Sequence, residues 1–159
     1  MFKVAMLGCG SISSAHVNGW KVQGDRAKMI AVADLLEDRR NARAADFGAK
    51  AYETADALLA AEKPDIVDIC LPTALHLEYA VKAMRAGAHV LCEKPLCLSA
   101  EKAQELLAVE KETGKRMMVA HVVRFIPQYV YLRKAIEEQP FGKLLSLTMV
   151  RISGRRDLG

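Results

Sequence analysis

The sequence has few of the features that mark membrane, secreted or metal-binding proteins. No window holds the roughly eighteen consecutive apolar residues that a membrane span needs. The apolar start, residues 1–7, is too short for a signal peptide and runs into glycines. The four cysteines have neither zinc-ligand nor CxxC spacing, so we expect buried free thiols and no metal site. The expected location is therefore the cytoplasm.

Aromatic residues and charge of one sign are also scarce. Aromatics make up 6% of the chain, and the formal net charge of +4 is spread along it. The one basic cluster consists of Arg151, Arg155 and Arg156, and we expect it to be a solvated tail. Because no basic face rich in aromatic residues accompanies it, the sequence predicts neither a nucleic-acid nor a membrane partner.

The pattern that is present is a regular alternation of strand-like and helix-like segments. The 159 residues are enough for one domain with a sizeable core. The predicted strands are 3–7, 29–33, 49–52, 66–71, 89–92 and 116–120. The predicted helices are 13–22, 37–47, 54–61, 75–85, 99–113 and 127–138. Buried strands separated by single helices predict an α/β fold, a doubly wound parallel Rossmann sheet with helices on both faces.

A glycine-rich loop joins the first predicted strand to the first helix. Its sequence is Gly8-Cys9-Gly10-Ser11-Ile12-Ser13. In a dinucleotide fingerprint the first glycine allows a tight turn and the second lets the backbone approach a pyrophosphate. The helix that follows offers free N–H groups to the phosphate, with Ser11 or Ser13 available as its cap. We therefore predict that residues 8–12 bind a dinucleotide, although a plain strand-to-helix turn would have the same pattern.

Asp34 ends the second predicted strand, about twenty residues past the loop, where an acidic residue binds the adenosine ribose hydroxyls. A carboxylate there repels a 2′-phosphate, so NAD is favoured and NADP is the less favoured cofactor. Arg39 and Arg40 in the next helix could soften that preference. A helix-capping aspartate is the structural alternative, and the two roles are compatible.

The tripeptide Glu93-Lys94-Pro95 follows the predicted strand 89–92. A lysine at the carboxyl end of a parallel strand lies where open α/β sheets bind their ligands. An ammonium group there can stabilise a developing alkoxide. We predict that Lys94 faces the nicotinamide ring, with a solvated surface lysine as the alternative.

With these pieces in order, the chain resembles the N-terminal half of the glucose–fructose oxidoreductase/inositol dehydrogenase family. The resemblance runs from residue 2 to about 152. The motifs that carry it are Gly8-Cys9-Gly10-Ser11-Ile12 with Ala15-His16, Ala33-Asp34, Pro72-Thr73-Ala74-Leu75-His76, Glu93-Lys94-Pro95 and Arg124-Phe125-Ile126-Pro127. Leu71 and Thr73 stand where that family usually has threonine and asparagine, which implies altered polar contacts to the nicotinamide-side ribose.

The resemblance implies particular roles for these residues. Lys94 is the expected catalytic residue, hydrogen-bonding the reacting hydroxyl or carbonyl of a sugar or polyol substrate. The expected cofactor-binding residues are Gly8, Cys9, Gly10, Ser11, Ile12, Asp34, Leu71, Pro72, Thr73, His76, Glu93, Lys94 and Arg124. For His76 a local bond at the start of its helix is an equal alternative, and for Arg124 a structural ion pair is nearly so. We expect His16 to be structural and Trp20 to pack.

The end of the chain departs from the alternation, because residues 144–152 have a strand pattern with no helix after it. We predict one trailing strand from a missing α+β domain. The predicted domains are an NAD(P)-binding Rossmann domain, 1–140, and the start of a truncated substrate and oligomerisation domain, 141–159. An uncovered apolar strand edge invites association between chains, so we expect a homo-oligomer.

Two functions follow from the sequence. The first is an NAD(H)-dependent dehydrogenase that transfers hydride between nicotinamide and a sugar, an inositol or a related polyol. The second is a truncated nucleotide-binding module without independent catalysis, because the family's acid/base histidine belongs to the domain expected to be missing.

Overall fold

A six-stranded, all-parallel sheet forms the centre of the protein in a computed structural model that describes residues 1–150 and residue 152. The strands are β1 (Phe2–Leu7), β2 (Ala27–Ala33), β3 (Lys50–Tyr52), β4 (Ile66–Ile69), β5 (His89–Cys92) and β6 (Met117–Val119). They are arranged in the order β3-β2-β1-β4-β5-β6. The chain reverses its direction of winding between β1 and β4, which makes this the switch point where such sheets bind ligands.

One α-helix follows each strand, with short 3-10 turns at Gly24–Arg26 and Val122–Phe125. The helices are α1 (Ser13–Lys21), α2 (Glu37–Ala45), α3 (Ala55–Glu62), α4 (Thr73–Arg85), α5 (Ala100–Thr113) and α6 (Pro127–Glu138). The six predicted strands and six predicted helices are all present, with bounds that shift by a few residues. The predicted doubly wound α/β fold is confirmed.

Local chemistry explains several of the helix ends. Thr54 caps α3 by accepting the Ala57 N–H at 3.2 Å, and Ser99 caps α5 by accepting the Lys102 N–H at 3.4 Å. Helix α1 differs from the prediction of a serine cap. Its cap position is Ile12, which has no side-chain acceptor, and the hydroxyl of Ser13 instead donates to the carbonyl of Gly10 at 2.6 Å.

The alternating side chains of β1 divide the core into two layers. Ala5 and Leu7 belong to one cluster, in which the buried residues of α3, α4 and α5 also pack. Val4 and Met6 belong to the other, with Ala44 from α2 and Trp20 from α1. Both clusters are closed to solvent, so the sheet is covered on both faces as a parallel sheet requires.

The strand register aligns the carboxyl ends of four strands. Leu7 of β1 is paired with Ala33 of β2 and with Ile69 of β4, and Ile69 is paired with Cys92 of β5. The residues that follow these strands therefore emerge side by side from one edge of the sheet.

The described part of the chain divides into two compact units, one of residues 1–121 and one that begins at residue 122. The first contains the whole sheet. The second contains α6 and, after Gly142, a segment in which all residues from 144 to 150 are exposed and none is in a strand. The predicted trailing strand is therefore not formed over 144–150, because a strand needs hydrogen bonds to a neighbour and the apolar pattern alone supplies none. The predicted boundary at residue 140 stays a prediction.

The remainder of the predicted strand, apart from Ile152, lies outside the described residues, as does the basic cluster of Arg151, Arg155 and Arg156. Within the part of the chain that the structure describes, no helix is both long enough and apolar enough to cross a membrane.

Two neighbouring leucines of α5 test this packing. Leu106 is fully buried, whereas Leu107 is 52% exposed. Truncating Leu106 leaves a cavity, so Leu106→Ala is expected to lower the free energy of unfolding by about 2–5 kcal/mol. Leu107→Ala is the matched control and is expected to change it by no more than about 0.5 kcal/mol. Urea unfolding of both variants is the measurement, and equal losses would contradict the burial of this face.

Candidate active site at the carboxyl edge of the sheet

The glycine loop is held tightly between the strands on either side of β1. The N–H of Gly8 donates to the carbonyl of Ala33 at 2.8 Å, and the N–H of Cys70 donates to the carbonyl of Leu7 at 2.7 Å. Gly8 has a φ of +91°, and a Cβ placed on it would lie 2.6 Å from the carbonyl oxygen of Cys70. No residue with a side chain fits here, which explains why the first position of the predicted fingerprint is a glycine.

The loop leaves backbone donors available at the start of α1. Among the described residues, the N–H groups of Gly10, Ser11 and Ile12 have no hydrogen-bond acceptor. Ser11 and Ile12 are exposed, and Gly10 is half-buried. Free N–H groups at a helix N-terminus suit an anion such as a pyrophosphate. The structure thus brings the predicted loop residues into an arrangement that fits the phosphates of a dinucleotide.

Asp34 follows β2 and lies against the loop. One of its carboxylate oxygens accepts the N–H of Cys9 at 2.8 Å, and the other accepts the N–H of Leu36 at 2.9 Å. The side chain is half-buried, so it remains partly open to solvent. Asp34 therefore fixes the loop by its own hydrogen bonds and stands where a ribose hydroxyl acceptor is expected.

Two arginines of α2 surround this corner of the site. The Nη1 atom of Arg39 lies 3.9 Å from the position that a Cβ on Gly10 would take, so this guanidinium is next to the loop. Arg40 donates to the carbonyl of Leu35 at 3.1 Å and forms an ion pair with Glu37 at 3.7 Å. Arg39 is thus the arginine that is closer to the loop.

The side chain of Cys9 faces the core and not the loop surface. It is 4% exposed, and its Sγ lies 3.7 Å from the carbonyl oxygen of Ala33. Burial, followed by the nearby charge of Asp34, raises the pKa of this thiol to about 12 despite the opposing effect of Arg43. Cys9 contributes backbone to the loop and remains a neutral thiol.

The segment after β4 reaches the same edge. Leu71 is half-buried and packs against the larger core cluster, while Pro72 is exposed and Thr73 begins α4. His76 is 1% exposed, and its two ring nitrogens lie 2.7 Å from the carbonyl oxygens of Leu71 and Pro95. The imidazole therefore joins the β4 loop to the β5 loop through backbone contacts, and its predicted contact with a cofactor stays a prediction.

The predicted catalytic lysine lies beside these loops. Lys94 is exposed, and its ammonium forms no ion pair with any residue that the structure describes. Glu93 is buried, and one of its carboxylate oxygens accepts the backbone N–H of Lys94 at 3.0 Å. The Lys94–Pro95 peptide bond is cis. Lys94 is thus exposed at the carboxyl edge of the sheet, and its predicted contact with a nicotinamide stays a prediction.

A buried polar group beneath this edge was missed by the sequence analysis. Asp68 lies in the middle of β4 with no exposed surface, and His16 of α1 connects it to Glu93. A carboxylate inside an otherwise apolar strand was the available signal, because a buried charge needs a partner. The contacts of His16 agree with its expected structural role. Trp20, which was expected to pack, also donates a hydrogen bond to Asp68.

His16, Asp68 and Cys70 also form a group with metal-ligand side chains in the described part of the chain. Their atoms already bond to one another, with His16 Nδ1 at 2.9 Å and Cys70 Sγ at 3.9 Å from Asp68 Oδ1. Burial and then the charges of Asp68 and Glu93 raise the pKa of Cys70 far above its usual value, so it is a thiol. A neutral thiol is a poor metal ligand, and this chemistry favours a hydrogen-bonded group.

Arg124 belongs to the second unit, where it is exposed in the Val122–Phe125 turn. Its predicted role in cofactor binding stays a prediction. The roles of Gly8, Asp34, Glu93 and Lys94 toward a cofactor are likewise proposals, although their positions at one sheet edge are structural facts.

The strand order, the glycine loop at the switch point and the acidic residue after β2 together define a dinucleotide-binding Rossmann domain. Residues 2–121 match the model of the GFO_IDH_MocA family, described as an oxidoreductase family with an NAD-binding Rossmann fold, and the chain belongs to this family. The family resemblance stated from the motifs is confirmed, and so is an NAD-binding domain.

A curated relative is the inositol 2-dehydrogenase of Rhizobium meliloti, which is 35% identical over 153 residues. The match covers 96% of this chain and 45% of the relative. The chain therefore spans less than half the length of this relative.

Solved structures of similar proteins include both cofactor types. The WlbA dehydrogenase from Bordetella pertussis, in complex with NADH and UDP-GlcNAcA, has a TM-score of 0.83 and 29% identity, covering 89% of this chain and 44% of that one. The 3-ketoreductase KijD10 from Actinomadura kijaniata, in complex with NADP and TDP-benzene, has a TM-score of 0.79 and 30% identity, covering 86% of this chain and 42% of that one.

The close approach at Gly8 gives a direct test of the loop. In Gly8→Ala the new methyl group would overlap the carbonyl of Cys70 at a strained φ, so we expect a loss of at least about 2 kcal/mol in the free energy of unfolding. Gly19→Ala, in α1 with open space around it, is the control and is expected to gain up to about 1 kcal/mol. Denaturant unfolding measures both, and an unchanged Gly8→Ala stability would contradict the described loop.

Proposed function

We propose that this chain is the cofactor-binding part of an NAD(H)-dependent oxidoreductase that acts on the hydroxyl or carbonyl carbon of a sugar, an inositol or a related polyol. The observation that carries the proposal is the pair formed by the Gly8 loop and Asp34 at the switch point. The inositol 2-dehydrogenase relative supports the substrate class. The bound nicotinamide would supply or accept the hydride.

The residues of the site divide the binding task. The free N–H groups of residues 10–12 would bind the pyrophosphate, and the carboxylate of Asp34 would accept the adenosine ribose hydroxyls. Residues 71–73 and Glu93 would line the path toward the nicotinamide. The ammonium of Lys94 would hydrogen-bond the reacting oxygen and stabilise negative charge that develops on it.

The residues around Asp34 support a preference for NAD over NADP that is not strict. Asp34 disfavours a 2′-phosphate by charge repulsion, which favours NAD. Arg39 lies next to the loop and could form an ion pair with that phosphate. The NADP complex of the similar 3-ketoreductase supports tolerance of this cofactor within the family.

A nucleotide-binding module without catalysis of its own, the second function expected from the sequence, stays a prediction. We propose the cytoplasm as the location, because the four cysteines are free thiols. The homo-oligomer stays a prediction, supported by six exposed apolar side chains, which are Leu144, Leu145, Leu147, Met149, Val150 and Ile152.

Asp34→Ala separates a ribose-binding role from a merely structural one. Loss of the carboxylate removes the acceptor for the ribose and the repulsion of a 2′-phosphate, so NADH affinity is expected to fall about tenfold and the preference over NADPH to shrink. Fluorescence titration of both nucleotides is the measurement. Asp46→Ala, an exposed aspartate that follows α2, serves as the control. An equal loss for both nucleotides would contradict the ribose-binding role.

Lys94→Ala tests the proposed chemistry. We expect the rate of NAD-dependent oxidation of a panel of polyols and sugars to fall by about a hundredfold or more, because the group that stabilises the developing charge is absent. The affinity for NADH is expected to change by less than about threefold. Absorbance of the NADH formed gives the rate, with Lys115→Ala, a lysine between α5 and β6, as the control. Equal rates above background for wild type and Lys94→Ala would contradict the role of the ammonium.

A further inference from the structure

A polar network connects the interior of β4 to the peptide of the predicted catalytic lysine. Trp20 donates its indole N–H to Asp68 at 2.6 Å. His16 Nδ1 lies 2.9 Å from the same carboxylate, and His16 Nε2 lies 3.0 Å from Glu93 Oε1. The other oxygen of Glu93 accepts the N–H of Lys94 at 3.0 Å. These contacts form one continuous path from the core to the ligand edge.

The ring of His16 is placed between two carboxylates. Between two ionised carboxylates each ring nitrogen has to donate, and an imidazole donates from both nitrogens only as the imidazolium, so this arrangement favours the charged ring. Burial by itself would lower the pKa of His16, but the hydrogen bonds and charges of Asp68 and then Glu93 outweigh it and raise the pKa to about 9. His16 therefore carries a positive charge at neutral pH.

The groups around His16 leave it as the one cation of the network. The titratable side chains that face it are Asp68 and Cys70 from β4, and Glu93 after β5. Burial keeps Cys70 and its neighbours Cys9 and Cys92 as thiols, because it raises the pKa of each. Without the imidazolium, two buried carboxylates would repel each other with no compensating charge.

We propose that His16, held by Asp68 and Trp20, is a positioning residue that locks the carboxylate of Glu93 onto the backbone N–H of Lys94 and so sets the direction of the lysine side chain. This inference rests on the proposed function, because the proposed function assigns Lys94 to the nicotinamide end of the site. If this network served only packing, apolar side chains would fill the same place equally well. They would also avoid the free-energy cost of burying two carboxylates. The path instead ends at the peptide of the predicted catalytic residue.

The first experiment compares NADH with ADP-ribose, which keeps both riboses and lacks the nicotinamide ring. NADH would contact both ends of the site, whereas ADP-ribose would end before the nicotinamide. In His16→Gln we expect NADH affinity to fall about fivefold, because Glu93, which would line the path toward the nicotinamide, loses the contact that fixes its carboxylate. We expect ADP-ribose affinity to change by less than about twofold, because the glycine loop and Asp34 are untouched. His89→Gln is the control, since the ring of His89 makes a hydrogen bond away from the site: its Nδ1 accepts the backbone N–H of Arg116 at 3.0 Å, at the opposite end of β5.

The second measurement is the pH profile of the Lys94 backbone amide, followed by NMR. Because the folded pKa of His16, about 9, lies above the ordinary 6.5, its contribution is complete below about pH 6.5 and is lost as the pH rises through about 9. We expect the Lys94 signal to move through a step near pH 9 in wild type and in His89→Gln, and to lack it in His16→Gln. Asp68→Asn leaves His16 with one carboxylate and should move the step to lower pH.

The outcomes separate the inference from the proposed function. A selective loss of NADH affinity in His16→Gln supports the positioning role, whereas equal losses for both nucleotides, or none, overturn it. If wild type binds neither nucleotide, the proposed function fails, and the Lys94 profile alone decides the inference. An identical profile in wild type and His16→Gln then overturns it.

If His16→Gln does not fold, Asp68→Asn provides the same comparison, and an unshifted step overturns the proposal.

Discussion

The close approach between Gly8 and the carbonyl of Cys70 is the constraint on which the site depends. At this point the chain leaves β1 and is hydrogen-bonded to the end of β2 on one side and adjoins the end of β4 on the other. Only a residue without a side chain, at positive φ, allows the loop to turn there and start α1 with free N–H groups. The anion-binding character of the loop is therefore a consequence of how tightly three strands meet.

The rest of the edge is organised around that turn by polar contacts. Asp34 fixes the loop from the β2 side, and His76 joins the loops after β4 and β5 through their carbonyls. His16 adds a second connection from α1 to Glu93. These contacts place the phosphate, ribose and nicotinamide ends of the proposed cofactor site on one rigid scaffold, with Lys94 exposed at the far end.

Local patterns were sufficient for the fold but not for every part of the site. The alternation of strand-like and helix-like segments predicted the sheet, and the glycine at position 8 predicted the loop. Both features depend on residues that are close together in the sequence. The network of Asp68, His16 and Glu93 joins residues up to 77 positions apart, and no spacing rule indicates it. The predicted strand over 144–150 failed for the related reason that a strand depends on a partner as well as on its own pattern.

If the carboxyl edge of the sheet binds a dinucleotide along its whole length, an NMR titration of the chain with NADH will show it. We expect the shifted backbone amides to cluster at residues 8–13, 34–36, 71–73 and 93–94, with β3 and the amino ends of the strands unaffected. Shifts confined to the amino ends of the strands, or no saturable shifts at all, would contradict it.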